Sequence, residues 1–357
     1  MRGGKETILM ISNHACVRVL KEAIALKVKG YQVGVLASVI PMGRSFYDSV
    51  SIYSGPRELA CAIGMSNADI LHVHNEPDWM VTVAKENSGG RPVVFDVHDL
   101  DSLRGKGIQP EEVSAFNAAD AVVHVSDKCK ESAETSHASI KNKPSTVLFS
   151  YVNECFVADD SMIVKNPSFD SVVYEGGVNA DQSPKKLTDN EKATCTNPND
   201  QLSVNLRYLV DIVKAFRCYE YAVNIYPPID PGNLLYESLG AFVSKPLIYP
   251  NMLTAIRPHG LGIVGAAYIS DLMNAAMPNK LFEYMSQGVV PVCINANEAS
   301  KFIKDNDCGI TLTSFNNVRG DLKEAPDKRA NVLKLRKELT MESQIYKLIE
   351  LYNQLKS

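Results

Sequence analysis

The sequence predicts an α/β protein of two doubly wound domains, each a parallel sheet with helices on both faces. Three observations predict it. The chain has 357 residues, more than one hydrophobic core usually absorbs. Short apolar or β-branched runs alternate with helix-like or loop-like sequence along most of it, the pattern of βαβ units. The alternation falls into two series, parted at 156–169 by an aperiodic stretch rich in Asp, Ser and Pro, read as the linker.

In the first series, 7–11 reads as a buried strand and 12–16 as a loop. A helix follows at 17–29, with Leu20, Ala23 and Ile24 on one face, and Gly30 stops it. "QVGVLAS", "DILHVH", "PVVFDVHD", "DAVVHVS" and "STVLFS" supply the next strands. The second series runs through "SVVYEGG", "YAVNIY", "PLIYP", "GLGIVG", "GVVPVCI" and "GITLT". Residues 179–204 are polar and aperiodic, longer than the usual loop of a compact domain. They read as a mobile lid or a tolerated insertion, and their lack of apolar anchors favours the insertion. The domains fall at 1–157 and 170–338. A terminal segment, 339–357, carries Ile345, Leu348, Ile349 and Tyr352 on one helix face.

With 45% hydrophobic and 22% charged residues the chain is an ordinary globular protein, and its net charge of -4, without a Lys/Arg run, argues against nucleic-acid binding. No apolar run approaches ~20 residues, and the first residues lack a signal-peptide core and cleavage site. The eight cysteines form no C-x-x-C pair, so a reduced, cytoplasmic chain is expected, without a zinc or redox motif. No G-x-G-x-x-G follows the first strand, which disfavours a dinucleotide dehydrogenase.

Chemistry concentrates in "MPNKLFEYMSQGVVPVC", 277–293. Pro278 suits a first helical position, and Leu281, Phe282 and Met285 give the helix an apolar face. Asn279, Lys280 and Glu283 are left near its start. Free backbone N–H groups and the helix dipole attract a phosphate there, and Lys280 adds a full charge. Glu283, one turn on, can accept two hydrogen bonds from a sugar diol, so the pair of acceptors matches a nucleotide's diphosphate and ribose. The plain alternative is an amphipathic helix with Lys280 and Glu283 as a solvent-facing pair. His98 ends a buried strand beside Asp99, at the carboxyl edge where open α/β sheets place their sites. His74 and Asn75, with Glu76 and Asp78, end the preceding strand. His72 and His124 lie inside strands and read as packed core, and His259 reads as a loop residue with no role. Asp99 and Asp101 have a turn-like spacing and no third ligand, so no metal is assigned.

"PNKLFEYMSQGVVPV", together with "ADILHVHN", "VVFDVHDL", "ADAVVHVSD", "VVYEGGV" and "TMESQIYKLIELYNQL" in that order, resembles the retaining GT-B glycosyltransferases of the large family 4-like group (group 1), which includes sucrose synthase-like and polysaccharide-assembly enzymes. The resemblance implies two Rossmann-like domains facing across a cleft, with the C-terminal helix crossing back to the first. It implies a glycosyltransferase of hexosyltransferase type, moving a sugar with retention from a UDP- or GDP-sugar to a hydroxyl of a glycan, lipid-linked or small-molecule acceptor, in polysaccharide or glycoconjugate biosynthesis. No further cofactor is required, because Lys280, Arg207 and the helix dipole would supply the positive charge. Glu283 would bind the donor ribose, and Asn279, Lys280 and Gly177 would lie near the diphosphate. Arg207 matches the basic residue that follows the "GG" strand, with Lys185 or Lys186 as alternatives. His98, with Asp99, would face the sugar. His74, Asn75, Asn13 and His14 would lie on the acceptor side, and Arg18 would line the cleft with the last two. The sequence departs from the family pattern at Ala275, where a glutamate often stands eight positions before the ribose one, and at "SNHACVR", which replaces a glycine-rich loop. Contact with the inner face of a membrane would fall to Lys21, Lys27 and Lys29, whose spacing also fits a solvated face. A nucleotide-sugar epimerase of the same fold, or an inactive GT-B-like binding subunit, are the competing readings.

Overall fold

The computed structural model describes residues 6–14, 16–74, 77–178, 185–186, 202–203, 208–230 and 234–356. The chain divides into two units: Met1–Asn153 with Met341–Ser357, and Glu154–Thr340.

In the first unit the strands are β1 (Thr7–Ser12), β2 (Gln32–Ala37), β3 (Ser49–Ile52), β4 (Ile70–His74), β5 (Val93–Val97), β6 (Ala121–His124) and β7 (Ser145–Val147). Among the described residues they form one parallel sheet in the order β3-β2-β1-β4-β5-β6-β7. The order reverses beside β1, and such switch points are where doubly wound sheets open a site at their carboxyl edge. Every residue of β4, β5 and β6 is buried, as expected of strands covered on both faces. Ile11, Leu71, Val73, Phe95 and Val122 join Leu59, Met80 and Phe116 from the helices in one core. β3 is not evident from the sequence because it is a short, largely exposed edge strand.

The C-terminal helices Met341–Gln344 and Tyr346–Gln354 belong to this unit, packing on the Val17–Val28 helix and on β7. The Met341 N–H donates to Val152 O at 3.1 Å, and Gln344 Oε1 accepts the Phe149 N–H at 3.1 Å. Leu348, Leu351 and Tyr352 face inward.

The second unit holds a parallel sheet in the order β12-β11-β8-β13-β14-β15, with β8 at Ser168–Glu175, β11 at Ala222–Tyr226, β12 at Phe242–Val243, β13 at His259–Gly265, β14 at Val290–Ile294 and β15 at Ile310–Leu312. A two-residue ribbon, β9 (Lys185–Lys186) with β10 (Leu202–Ser203), lies apart from it. "PLIYP" is not a strand: Tyr249 and Pro250 open the helix Tyr249–Ile256, proline being tolerated in a first helical turn. The stretch 156–169 is no free tether, since Gln287 Nε2 donates to Phe156 O at 2.8 Å and an Arg336 guanidinium N–H donates to Ala158 O at 2.8 Å.

The helix Asn279–Ser286 is seated on this sheet through Tyr284, whose ring lies over Gly262 of β13. A Cβ built on Gly262 would stand 2.4 Å from that ring. Tyr284 has no second place to go, because its hydroxyl accepts the Glu175 N–H at 2.9 Å. Gly262→Ala is therefore expected to cost about 1–3 kcal/mol through overpacking, measured as a lower urea midpoint with an unchanged m value.

Candidate active site

The start of the helix Asn279–Ser286 has the features its sequence predicts, displaced by one residue. Pro278 takes the N-cap rather than the first helical position, with extended φ -64° and ψ 139°, and no side chain caps the helix. The Leu281 N–H donates to Pro278 O at 3.1 Å, which leaves the N–H groups of Asn279 and Lys280 to an acceptor from outside the helix. Lys280 is half-buried, with Nζ 4.8 Å from the centre of the Tyr174 ring. Burial opposes its charge, but Tyr174, Glu175 and Glu283 outweigh burial and hold its pKa above the ordinary lysine value. Glu283 is 2% exposed, and its carboxylate raises the pKa of the buried Tyr249 hydroxyl, so it is not half of a solvent-facing pair. At the carboxyl end of β8, the Tyr174 hydroxyl donates to Gly177 O at 3.3 Å. Gly176, with φ +131°, leaves room where a Cβ would meet Lys280 Nζ at 3.3 Å. Asn279 is half-buried beside these groups in the sequence of the same helix turn. Arg207 lies outside the described residues, as does most of 179–204.

In the first unit, the carboxyl ends of β4 and β5 hold a buried polar cluster. Arg18 is 2% exposed and does not line a crevice. Its Nε donates to both oxygens of Asp96, at 3.2 and 3.0 Å, and another N–H donates to Leu148 O at 2.8 Å. Glu22, one helical turn on, places Oε1 3.1 Å from the same Nε. Burial opposes the Asp96 charge, yet Arg18, His98 and His74 outweigh it and hold this carboxyl well below the usual range. Glu22 moves the other way: burial, then Asp96, raise its pKa well above the usual carboxylate value.

His98 borders this cluster. Nδ1 lies 3.8 Å from Cys16 Sγ, Nε2 lies 3.8 Å from Asp96 Oδ1, and the side chain is 12% exposed. Burial brings its pKa down to about 3, against the pull of Asp96, so the ring is neutral near pH 7. Asp99 accepts a hydrogen bond from Arg104 at 2.6 Å, and Asp101 pairs with Arg104 and Lys106 at 3.5 and 2.8 Å. Both are thereby committed to ion pairs within the loop. His74, expected on the acceptor side, is instead fully buried and stacked on His72, with ring centres 4.3 Å apart. Asn13 is half-buried and accepts from Ser38 Oγ at 2.6 Å, while His14 is exposed. Asn75 and Glu76 lie outside the described residues. Lys21 is no surface lysine: it is fully buried and donates to Ser150 O at 3.0 Å. His72 and His124 are buried in their strands. His259 begins β13 rather than a loop, with Nδ1 2.7 Å from Ser171 Oγ.

Sequence reading missed Asp96 and Glu22. The signal for Asp96 was present as a lone carboxylate inside the apolar run "VVFDV", and for Glu22 as the i+4 neighbour of Arg18.

The buried rings predict an acid-labile fold. Burial lowers the pKa of His72, His98, His124 and His259, the second to about 3 and the last two to about 4. The unfolded chain binds protons at these positions below about pH 6.5, so their contribution to stability is complete above that pH and is lost as pH falls. Each ring contributes a slope of roughly 1 kcal/mol per pH unit. Glu22, with its raised pKa, gives the opposite slope above about pH 4.5 but is one group against four. Urea midpoints are expected to fall steadily from pH 6.5 to 5, and a flat profile would show that the folded chain takes up those protons.

Comparison with known proteins follows the same division. Residues 18–150 match the sequence model of the family described as Glycosyltransferase Family 4. No curated protein matches the chain. Its fold is similar to that of sucrose-phosphate synthase from Thermosynechococcus elongatus, at 11% identity, TM-score 0.70 and 99% coverage of both chains. Anabaena HepE in complex with UDP matches at 13% identity and TM-score 0.64, over 96% of this chain and 99% of that one. An alpha-glucosyltransferase in complex with UDP-glucose and DNA containing an abasic site matches at 12% identity and TM-score 0.65, over 99% of this chain and 100% of that one. The chain thus has the GT-B fold of these structures, and within it residues 18–150 match the Glycosyltransferase Family 4 model.

Proposed function

We propose that the enzyme moves a sugar from a nucleotide-diphosphate sugar to a hydroxyl acceptor with retention of configuration. The observation that carries this reading is the start of the helix Asn279–Ser286: uncapped N–H groups, a charged lysine and a buried carboxylate within about one turn. The negative charge that grows on the diphosphate as the sugar departs meets the helix dipole and Lys280, with Asn279 and Gly177 beside them. Glu283 accepts hydrogen bonds from the ribose hydroxyls. Arg207 is a further candidate for the diphosphate. UDP and UDP-glucose in the structures of similar fold favour a uridine donor over a guanosine one.

His98 presents a neutral ring that can donate a hydrogen bond to a sugar hydroxyl, and Asp99, locked to Arg104, fixes the loop that follows it. One structure of similar fold holds DNA. The net charge of -4 favours a glycan, lipid-linked or small-molecule acceptor here, as in polysaccharide or glycoconjugate assembly. Among these, a lipid-linked acceptor draws support from the loop after β2, which exposes Val39, Ile40, Met42 and Phe46 around Arg44. Such a loop suits peripheral contact with a membrane. No helix of the described residues is long and apolar enough to cross one.

Calorimetric titration with UDP-, GDP-, ADP- and CMP-linked sugars tests the reading. One nucleotide is expected to bind, and Glu283→Ala to weaken it about 10- to 100-fold through loss of charged hydrogen bonds. Glu283→Gln, which keeps the side chain's shape, should retain part of the affinity. If a cooperatively folded wild-type chain binds none of the four, the reading is wrong.

A further inference from the structure

We propose that Glu22, His72, His74 and Asp96 form a binding site for one divalent transition-metal ion of the zinc type, buried in the first unit and separate from the donor chemistry. All four side chains are fully buried, and one ligand-type atom from each lies within 4.8 Å of those from the other three.

The spacing is that of ligands rather than of a finished hydrogen-bond network. His74 Nδ1 stands 3.3 Å from Asp96 Oδ2, and His72 Nε2 stands 3.9 Å from the same oxygen. Neither contact is a hydrogen bond, and His72 Nε2, both His74 nitrogens and both Glu22 oxygens lack a hydrogen-bond partner. A tetrahedral ion at about 2.0–2.1 Å from nitrogen and oxygen ligands sets neighbouring ligand atoms about 3.3–3.5 Å apart. The closest pair already has that separation, and side-chain torsions bring in the wider ones. Buried polar atoms almost always have partners. Five atoms without a hydrogen bond converge here on two imidazoles and a carboxylate, Glu22 Oε1 having only the Arg18 guanidinium at 3.1 Å, and a cation would satisfy them together.

The surroundings fit the same role. Tyr352 OH lies 2.6 Å from His72 Nδ1, a hydrogen bond that fixes the ring and turns Nε2 toward Asp96. Metal-bound histidines are held by outer partners in this way. Arg18 grips Asp96 through Nε and orients the carboxylate while offsetting part of its charge. With both carboxylates ionised, the guanidinium leaves one negative charge in excess, which a dication takes up; without the ion, a proton on Glu22 serves instead. Two imidazoles and two carboxylates suit zinc among the first-row metals. The ion would tie the Val17–Val28 helix to β4 and β5, and through Tyr352 to the terminal helix.

The test uses the full-length chain. Metal content is measured on the purified protein by plasma mass spectrometry, and the chain is then treated with chelator and titrated with Zn²⁺ or Co²⁺ alone. One equivalent is expected, with the intense visible bands of tetrahedral Co²⁺. At a hundredfold excess over Kd, Zn²⁺ should raise the Tm of the chelator-treated chain by about 3–4 °C. His74→Gln and Glu22→Gln, close in volume to the originals, should lose the bands and the shift. Bands and shift that persist in these variants would mean an adventitious surface ion only and would overturn the proposal. Should the variants fail to fold, the wild type decides: no stoichiometric uptake and an unchanged Tm leave a hydrated or protonated network in place of a metal site. Nucleotide titration of the same samples reports on the donor site independently.

Discussion

The pairing of Arg18 with Asp96 is the contact on which the first unit turns. A carboxylate in the middle of a fully buried strand is costly to dehydrate, and Asp96 occupies such a position in β5. It is tolerated because a guanidinium, which stays charged, reaches it from the Val17–Val28 helix and also donates to Leu148 O. Removing either partner would leave the other charged and dry, the most damaging way to disturb a buried ion pair. Once Asp96 is ionised and held, the imidazoles around it have their environment set. His74 lies against its Oδ2, His98 against its Oδ1, and His72 connects it to Tyr352 on the terminal helix. The return of the chain's last helices to the first unit is therefore anchored by a polar contact as well as by Leu348 and Leu351.

The second unit uses charge differently. Lys280 is half-buried rather than sealed, with its Nζ over the Tyr174 ring and its charge favoured by Tyr174, Glu175 and Glu283. The supporting residues around it are tyrosines: Tyr284 bonded to Glu175 N and Tyr174 to Gly177 O, with Tyr249 near enough to Glu283 to feel its charge. Each presents an apolar ring to the core and a hydroxyl to the site, which is how a rigid apolar unit can position polar groups at its edge.

Much of the architecture was legible in the sequence because its signals are local. β4, β5 and β6 are rich in Val and Ile, and the helix starts at Pro56, Pro110 and Asn279 carry their own punctuation. The misread segment "PLIYP" failed for a local reason too, since two prolines flanking three apolar residues fit a helix entrance as well as a strand. The polar cluster was legible only in part. His72, His74 and Asp96 could be seen as polar residues in buried strands, but their meeting depends on the parallel register of β4 with β5, His72 opposite Val94 and His74 opposite Asp96. Arg18 comes from 78 positions away, and no periodicity within a window reports such a contact. Arg18 was read as lining the cleft and Lys21 as a surface residue, because cations usually are exposed. Both are buried here, since each reaches a backbone carbonyl of the strand-end segment 148–150.

The two units share one electrostatic property. Lys280 has its pKa held above the ordinary lysine value, Asp96 well below the ordinary carboxylate value, and His98 near 3. All three therefore keep one charge state between about pH 5 and 8, the range in which an unperturbed histidine would switch. For the transfer proposed above, the Lys280 charge is the relevant one, because a cation already oriented needs no reorganisation when negative charge develops on a leaving group. A site tuned for proton shuttling would hold at least one of these groups near neutrality. Burial has moved His98 away from it, and neighbours outweigh burial at Lys280 and at Asp96, so within its own unit each group is suited to hydrogen bonding or fixed charge.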